Sequence, residues 1–254
     1  MPHGGENAAI RGRCYAVKPL LRSFGMFIRQ ILNDSMLYAV LVAPLLAGGL
    51  FRFGIPKIES ALCAYFGQAS ILGSYYLLFD LFLAVLTPYL FCFASSMVML
   101  AEYDENMATY LAVTPVGKRG YILSRLGFPA ALSFFASAAV LHFFSLTEWS
   151  VSRLLLVCAL TALLSITEAL MVVSFSRNRV EGMAVAKLTG IVMLGLPVPF
   201  FLFSGIQYLF SLLPSFWIAK VFVGDNYLMV FPALLISAGW LWVLYGKFER
   251  KLSR

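Results

Sequence analysis

The chain has 254 residues, of which 61% are hydrophobic and 12% are charged, and its mean hydropathy is +0.86. A soluble domain carries about 25% charged residues, and apolar runs of about 20 residues predict an all-α integral membrane protein instead. The net charge of +7 does not indicate a nucleic-acid partner, because the basic residues flank apolar runs and form no single stripe.

The N-terminal segment 18–32 predicts an amphipathic helix that lies in the membrane interface. Its apolar residues, including Phe24, share one helical face, whereas Arg22 and Arg29 project from another face and Lys18 begins the segment. Two interpretations of this interface helix remain open. It is either a membrane anchor or a connecting element that also contacts a cytoplasmic partner.

Six apolar runs are long enough, at about 20 residues each, to cross the bilayer as helices. They cover about 34–54, 80–101, 121–145 and 154–175, a fifth run that begins near Leu188, and 227–246. With the N-terminus inside, 15 of the 19 basic residues fall on the cytoplasmic side. Because positive residues stay on that side of a translocating membrane, we expect a multi-pass plasma-membrane protein with both termini in the cytoplasm.

Two segments do not fit simple spans. The 32 residues between Lys187 and Lys220 carry no charge and include several prolines. As one helix they would extend about 48 Å, against a hydrocarbon core of about 30 Å. We therefore expect residues 196–224 to form a broken or re-entrant outer segment between the fifth and sixth spans. Residues 60–79 present the same problem and are expected to lie along the outer surface or dip into it.

Two acidic residues lie within predicted spans, where burying a charged side chain costs several kcal/mol of free energy. Asp80 lies near the outer boundary of the second span, and Glu168 lies deeper in the fourth. Each is either a pathway or proton-relay carboxylate or a partner in an interhelix hydrogen bond, for Glu168 with Thr161, Ser165 or a neighbouring span. An ion-coupled secondary carrier or channel that uses Asp80 and Glu168 is therefore the alternative function.

Motifs for enzymatic chemistry are absent from the sequence. The nearest match to the phosphate-binding GxxxxGK[ST] loop is "AVTPVGKR", which lacks the first glycine and the hydroxyl after the lysine. The sequence has no HExxH or GxSxG motif, and its four cysteines have no CxxC spacing. We expect neither catalytic residues nor a cofactor or metal bound by this chain.

The loop after the second span has an unusual distribution of charge. It begins with Glu102, Asp104 and Glu105, and acids are favourable at the start of a helix because they oppose its dipole. Pro115 disfavours a helical conformation for Thr114, so a helix should end there. The loop is either a short rigid helix that receives a push from a soluble partner, or an extension of the second span followed by a turn.

The stretch "DENMATYLAVTPVGKRGYILSRL", 104–126, resembles the segment between the second and third spans of ABC-type exporter permeases of the type-two membrane family. The family motif has an acidic start, a Gly-Thr pair, an apolar step, Thr-Pro, basic residues and a Tyr-x-Leu entry into the third span. The matching residues are Asp104, Glu105, Thr109, Leu111, Thr114, Pro115, Lys118, Arg119, Tyr121 and Leu123. Ala108 stands where the family has glycine. The stretch "NRVEGMAVAKL", 178–188, resembles the family's second cytoplasmic loop.

The resemblance implies that residues 1–254 form one transmembrane permease domain that works as a dimer with a second copy or a related permease. It also implies an interface helix at 18–32, a coupling helix at 102–115 and re-entrant helices between the fifth and sixth spans. A separate ABC ATPase subunit would bind ATP and Mg and transmit its closure through both helices to a substrate pathway. The residues implied to couple the ATPase are Glu102, Asp104, Glu105, Thr109, Leu111, Thr114 and Pro115.

Overall fold

The computed structural model describes residues 25–26, 28–105 and 117–252, and every regular element in these ranges is helical. Six of the helices are long and apolar enough to cross a membrane. Numbered in chain order, spans 1 to 6 are Ser35–Phe66, Gly73–Asp104, Gly120–Phe144, Val151–Phe175, Arg179–Phe201 and Tyr227–Lys251. The predicted all-α membrane architecture with six spans is confirmed.

Several spans are built from more than one type of helix. The α-helices are Ser35–Gly49, Ile55–Phe66, Tyr76–Asp104, Gly117–Ile122, Phe128–Phe144, Val151–Phe175, Arg179–Thr189, Val198–Phe201, Pro214–Val223 and Val230–Leu252. The π-helical segments are Leu50–Gly54 and Leu123–Gly127, and the 3₁₀ segments are Gly73–Tyr75, Gly190–Gly195, Gly205–Leu212 and Tyr227–Met229. The interruptions lie mainly in spans 1, 3 and 5.

Span 1 is longer than the sequence predicted. A π-helical segment, Leu50–Gly54, carries the helix past the predicted end near residue 54, and the helix continues to Phe66. It ends at Gly67, whose φ of 66° is a left-handed conformation that glycine adopts without strain. The first part of residues 60–79 is therefore helical and continuous with span 1, and the position of these residues at the outer surface stays a prediction.

Span 5 begins earlier than the predicted start near Leu188. Asn178 caps the helix by accepting a hydrogen bond from the backbone of Glu181 at 2.8 Å, and the Glu181 carboxylate accepts one from the backbone of Arg177 at 2.7 Å. These two hydrogen bonds fix the start of the helix at Arg179, so the stretch "NRVEGMAVAKL" is helical after its first residue.

The second half of span 5 and the residues after it are divided into short pieces. The helix changes to a 3₁₀ segment at Gly190 and to a further short turn, Val198–Phe201. A second 3₁₀ segment and the ten-residue helix Pro214–Val223 precede span 6. Segment 196–224 is thus not one helix, and its re-entry into the outer leaflet stays a prediction.

Spans 2 and 4 form the centre of the bundle. In the most apolar 18-residue window of each span, 72% of span 4 and 56% of span 2 are buried, against 17% for spans 1 and 6. The buried apolar residues form two clusters, one around Met97 and Leu170 and another around Leu83 and Leu164. Spans 1 and 6 therefore lie on the outside of the bundle, with most of their apolar surface uncovered.

The helix ends meet on two faces. On the first, the backbone N–H of Arg179 donates to Asp104 at 3.1 Å, its guanidinium donates to Asp34, and the Lys251 ammonium donates to the carbonyl of Val173 at 2.7 Å. These contacts join the ends of spans 1, 2, 4, 5 and 6. We call this surface the basic face, and the other end of the bundle the opposite face.

Gly195, at the end of the 3₁₀ segment in span 5, packs closely against the start of the helix Pro214–Val223. A Cβ atom at this position would lie 2.3 Å from Ser215 Oγ and 2.7 Å from the backbone nitrogen of Phe216. We expect Gly195→Ala to destabilise the protein by about 1–3 kcal/mol, because backbone must move to admit the methyl group. Thermal unfolding of the purified protein in detergent measures this effect.

Gly190→Ala is the matched control for this substitution, since Gly190 begins the same 3₁₀ segment and a Cβ there meets nothing within 4 Å. It should leave the melting temperature unchanged or slightly raised. Equal melting temperatures for the two variants would contradict the close packing of Gly195 against Phe216.

Candidate functional site

A buried ion pair joins spans 2 and 3 at the basic face. Glu102, in the last turn of span 2, has its carboxylate hydrogen-bonded to the guanidinium of Arg125 in span 3, with Arg125 Nε 3.0 Å from Oε2 and a second bond from Nη2 to Oε1. Their side chains are 2% and 1% exposed. A bidentate pair of this kind has two parallel charge-assisted hydrogen bonds and one preferred geometry.

Span 3 supplies two further contacts to this pair. The Tyr121 hydroxyl donates to the same Glu102 oxygen at 3.1 Å, one helical turn before Arg125. Arg125 lies in the π-helical segment Leu123–Gly127, and its carbonyl accepts a hydrogen bond from the Ser95 hydroxyl of span 2. π-Helical turns leave backbone carbonyls out of the regular ladder and occur frequently at functional positions. Spans 2 and 3 are therefore joined by both side chains and backbone.

The ion pair lies at the base of the predicted coupling helix. Glu102 precedes residues 106–116, which lie outside the described residues, and Arg125 follows them. The two ends of that segment are consequently held together inside the bundle. The α-helix of span 2 extends to Asp104, so the predicted helical extension is present that far.

The predicted coupling residues lie in three different environments. Glu102 is buried in the ion pair, whereas Asp104 and Glu105 are exposed at the end of span 2. Thr109, Leu111, Thr114 and Pro115 lie outside the described residues. Sequence reasoning had treated all seven as one exposed surface.

Part of the predicted interface helix is described. Residues 28–33 are helical, with Ile31 4% exposed and packed in the core cluster, and Arg29 is exposed. Lys18, Arg22 and Phe24 lie outside the described residues. The described turn therefore contacts the bundle through its apolar side and leaves a basic residue outward.

Arg179 joins three spans at the basic face. Its guanidinium is hydrogen-bonded to Asp34, which also caps span 1 by accepting from the backbone of Met36 at 3.0 Å. The Arg179 hydrogen bond holds the pKa of the Asp34 carboxyl below its ordinary value of 3.8. Because the pKa is lowered on folding, the contact stabilises the fold above about pH 3.8 and is lost as the pH falls further. Asp104, bonded to the Arg179 backbone, extends the junction to span 2.

Asp80 is buried on the opposite face, where its carboxylate accepts hydrogen bonds from the loop between spans 3 and 4. Its carboxylate accepts hydrogen bonds from the backbone N–H groups of Leu146 at 2.8 Å and Thr147 at 2.9 Å, from the Thr147 hydroxyl, and from the Trp149 indole at 3.0 Å. Three of the four donors share Oδ2, and one binds Oδ1. In this structure Asp80 therefore orders the loop between spans 3 and 4.

Glu168 lies in span 4 and is 2% exposed, and neither carboxylate oxygen has a hydrogen-bond partner among the described residues. The predicted hydrogen bonds from Thr161 and Ser165 are wrong, because those hydroxyls bond to the carbonyls of Cys158 and Ala162. Burying a carboxylate without a partner costs free energy in either protonation state, and more when it is charged.

Sequence reasoning did not identify Arg125 as a member of a buried ion pair. Arg125 lies in the predicted third span, 121–145, and was counted only as one of the basic residues on the cytoplasmic side. The signal that could have identified it is its spacing of four residues from Tyr121, which places both side chains on one helical face. The acid that pairs with them, Glu102, is far away in sequence and was placed in the loop.

We expect removal of either member of the ion pair to destabilise the protein by about 3–5 kcal/mol, because the other charge is then buried without a partner. Glu102→Leu and Arg125→Met are the single variants. The double variant, which removes both charges and keeps apolar volume, should regain most of the lost stability. Unfolding curves in detergent for all three variants measure the coupling energy.

The same three variants separate stability from function. If the stable double variant retains transport, the pair is structural only. Singles as stable as the parent protein would show that the buried pair does not exist in the membrane.

Glu168 gives the clearest test of whether an acid is kept for function. We expect Glu168→Leu to raise the free energy of unfolding by about 1–3 kcal/mol, because it removes a buried polar group that has no partner. The isosteric Glu168→Gln separates loss of charge from loss of polarity. A melting-temperature series combined with a transport assay would show a more stable but inactive Leu variant if the carboxyl serves the pathway. A less stable Leu variant would contradict the absence of a partner.

Comparison with known proteins adds evidence of function. A family model described as "fluoroquinolones export permease protein Rv2686c-like" matches residues 27–245. The chain is 24% identical over 231 residues to the fluoroquinolones export permease protein Rv2686c of Mycobacterium tuberculosis strain H37Rv, and equally to protein MT2760 of strain CDC 1551. Each alignment covers 88% of this chain and 91% of the relative. No solved structure matches the chain.

The matched region contains all six spans except the last turns of span 6, and it includes Asp80, Glu102, Arg125 and Glu168. Such a match places this multi-pass membrane protein among transporters and not among enzymes. The chain belongs to the Rv2686c-like family of fluoroquinolones export permeases.

Proposed function

We propose that this chain is the transmembrane subunit of an ATP-driven exporter whose ABC ATPase is a separate subunit. The observation that carries this proposal is the buried pair of Glu102 and Arg125 on either side of residues 106–116. A soluble partner that displaces this segment would move spans 2 and 3 together, because separating them would bury two uncompensated charges. ATP and Mg would bind the partner, since this chain has no phosphate-binding loop.

The proposal places the basic face in the cytoplasm and the bundle in the plasma membrane. Described cations at that face include Arg29, Arg125, Arg177, Arg179, Lys247, Arg250 and Lys251, and those at the opposite face are Arg52, Lys57, Arg153 and Lys220. The segments next to this face that the structure does not describe contain further basic residues. The excess of basic residues at the basic face over the opposite face supports this orientation. Both termini and the segment 106–116 would then face a soluble ATPase.

The coupling surface would combine two segments. Asp104 and Glu105 are exposed where span 2 leaves the bundle, and Arg29 is exposed on the helical turn before span 1. The Arg179 junction joins the same two spans through Asp34 and Asp104. A push on either segment would thus reach spans 1, 2 and 5 through hydrogen-bonded contacts.

We place the substrate pathway between two permeases, either two copies of this chain or one copy with a related permease. Spans 1 and 6 support this arrangement because they leave large apolar side chains outside the monomer. Leu46, Phe231 and Trp242 are 70%, 71% and 81% exposed. Lipid would cover the part of this surface that a second permease does not.

An ion-coupled carrier receives less support from the contacts of the two acids. Asp80 already accepts four hydrogen bonds from the loop after span 3, so binding an ion there would compete with the contacts that order this loop. Glu168 is buried in the monomer and has no hydrogen-bond partner among the described residues. The names of the two relatives make fluoroquinolones the first cargo to test.

The test uses an exposed acid at the proposed contact with the ATPase. The permease is coexpressed with the ABC ATPase that the proposal expects to be encoded beside it, and ATPase copurification and fluoroquinolone efflux are measured. We expect Glu105→Lys to reduce both by at least tenfold while membrane insertion is retained, because a reversed charge at an interface weakens binding and repels the partner.

Glu148→Lys is the matched control, since Glu148 is an exposed acid in the loop on the opposite face. It changes the net charge equally and should leave both readouts unchanged. Efflux that persists without any ATPase but is abolished by a protonophore would contradict the proposal and support ion coupling.

A further inference from the structure

A pocket of about 670 Å³ opens at the basic face where spans 2, 4 and 6 end. Its volume lies in the range of about 300–1,000 Å³ that is typical of small-molecule sites. Four cations line it: Arg177 after span 4, and Lys247, Arg250 and Lys251 in the last turns of span 6. No residue that lines the pocket belongs to the Glu102–Arg125 pair, and the lining residue Tyr103 lies between Glu102 and Asp104 in the sequence.

Two aromatic rings orient the lysines in this pocket. Lys247 Nζ lies 3.4 Å from the ring centroid of Phe175, and Lys251 Nζ lies 4.5 Å from that of Tyr103. Both distances are within the range of cation–π contacts. The ammonium groups are therefore positioned before any ligand arrives.

Of the four cations, Lys251 stabilises the end of span 4, whereas the other three form no ion pair among the described residues. Lys251 donates to the carbonyls of Val173 and Ser176, which are the terminal acceptors of span 4. Arg177, Lys247 and Arg250 are exposed, and within the described part of the chain none has a carboxylate within ion-pair distance. A concentration of positive charge that has no carboxylate partner among the described residues indicates an anionic ligand.

The acids around the pocket are already engaged. Asp104 accepts from the backbone of Arg179, and Glu181 accepts from the backbone of Arg177. Both are close enough to Lys251 to interact with its charge. They reduce the positive potential on the Lys251 side of the pocket, so the ligand charge should lie nearer Lys247 and Arg250.

An apolar path leads from the pocket along span 6. Val243 and Trp240 precede Lys247 by four and seven residues, so they lie on the same side of the helix. Val243 is 59% exposed, Trp240 is partly buried, and Phe175 at the pocket is 52% exposed. A phosphate group in the pocket would thus lie directly beside a surface suited to an acyl chain.

We propose that this pocket binds the phosphate group of an anionic phospholipid in the leaflet at the basic face. Clusters of Lys and Arg at the ends of transmembrane helices bind such headgroups, and each cation near the surface contributes favourably. A free phosphate ion shares the charge but would not use the apolar row on span 6. The name of the leaflet depends on the proposed orientation, whereas the lipid contact itself does not.

Native mass spectrometry of the purified full chain in detergent tests the proposal. The added lipids are palmitoyl-oleoyl phosphatidylglycerol and, as the zwitterionic comparison, the phosphatidylcholine with the same acyl chains. The pocket variant is Lys247→Gln with Arg250→Gln, two exposed residues whose replacement leaves Lys251 in place. The matched control is Lys57→Gln with Lys187→Gln, which removes two exposed lysines elsewhere.

We expect the parent chain to retain phosphatidylglycerol at least tenfold more strongly than phosphatidylcholine, and the pocket variant to lose about tenfold in that retention. The control should behave as the parent chain does. Equal retention of the two lipids, or equal retention by the two double variants, would overturn the proposal.

Two further arms identify the ligand. Displacement of the lipid by millimolar inorganic phosphate would show that the site takes a free anion and would contradict a lipid site. Loss of ATPase copurification in the pocket variant, with lipid retention unchanged, would assign the pocket to the protein partner instead. Because lipid retention is measured on the permease alone, failure of the proposed ATPase coupling would leave its result unaffected.

Discussion

A charge buried among transmembrane helices must be compensated, and the pair of Glu102 and Arg125 is where this requirement organises the molecule. The pair has strict geometry, and its members lie on either side of residues 106–116 in the sequence. Separating the end of span 2 from the start of span 3 would leave two uncompensated charges inside the bundle. The coupling proposal depends on the segment that this pair flanks, whereas the family assignment rests on the match over residues 27–245.

The carboxylates of the three buried acids differ in how their burial is compensated. Glu102 is paired with a guanidinium, and Asp80 is surrounded by backbone, hydroxyl and indole donors. Glu168 has neither among the described residues. The first two acids are therefore explained by the fold, whereas Glu168 is a local violation of the rule that buried polar groups are paired. Violations of this kind are where function is most often found.

The sequence predicted the class, the number of spans and the two-sided distribution of charge, because hydropathy and flanking basic residues are local properties. It failed where the outcome depends on partners distant in the chain. Arg52 in span 1 bonds to the carbonyl of Ser145, ninety-three residues later. The ion pair of Arg125 was missed for the same reason, since its partner, Glu102, is 23 residues away in the sequence. The roles of Asp80 and Glu168 could not be separated without knowing their neighbours.

The cap that Lys251 places on span 4 has a consequence for the order of synthesis. The terminal carbonyls of span 4 become available when Phe175 and Ser176 have been made, but their donor is encoded 75 residues after Ser176. At about 5–20 residues per second this interval is roughly 4–15 s. Span 4, the most buried of the six spans, therefore waits in the membrane with an open end until Lys251 is translated. Span 6 closes the end of span 4, and chains that stop before Lys251 would carry a recognisable defect at the basic face.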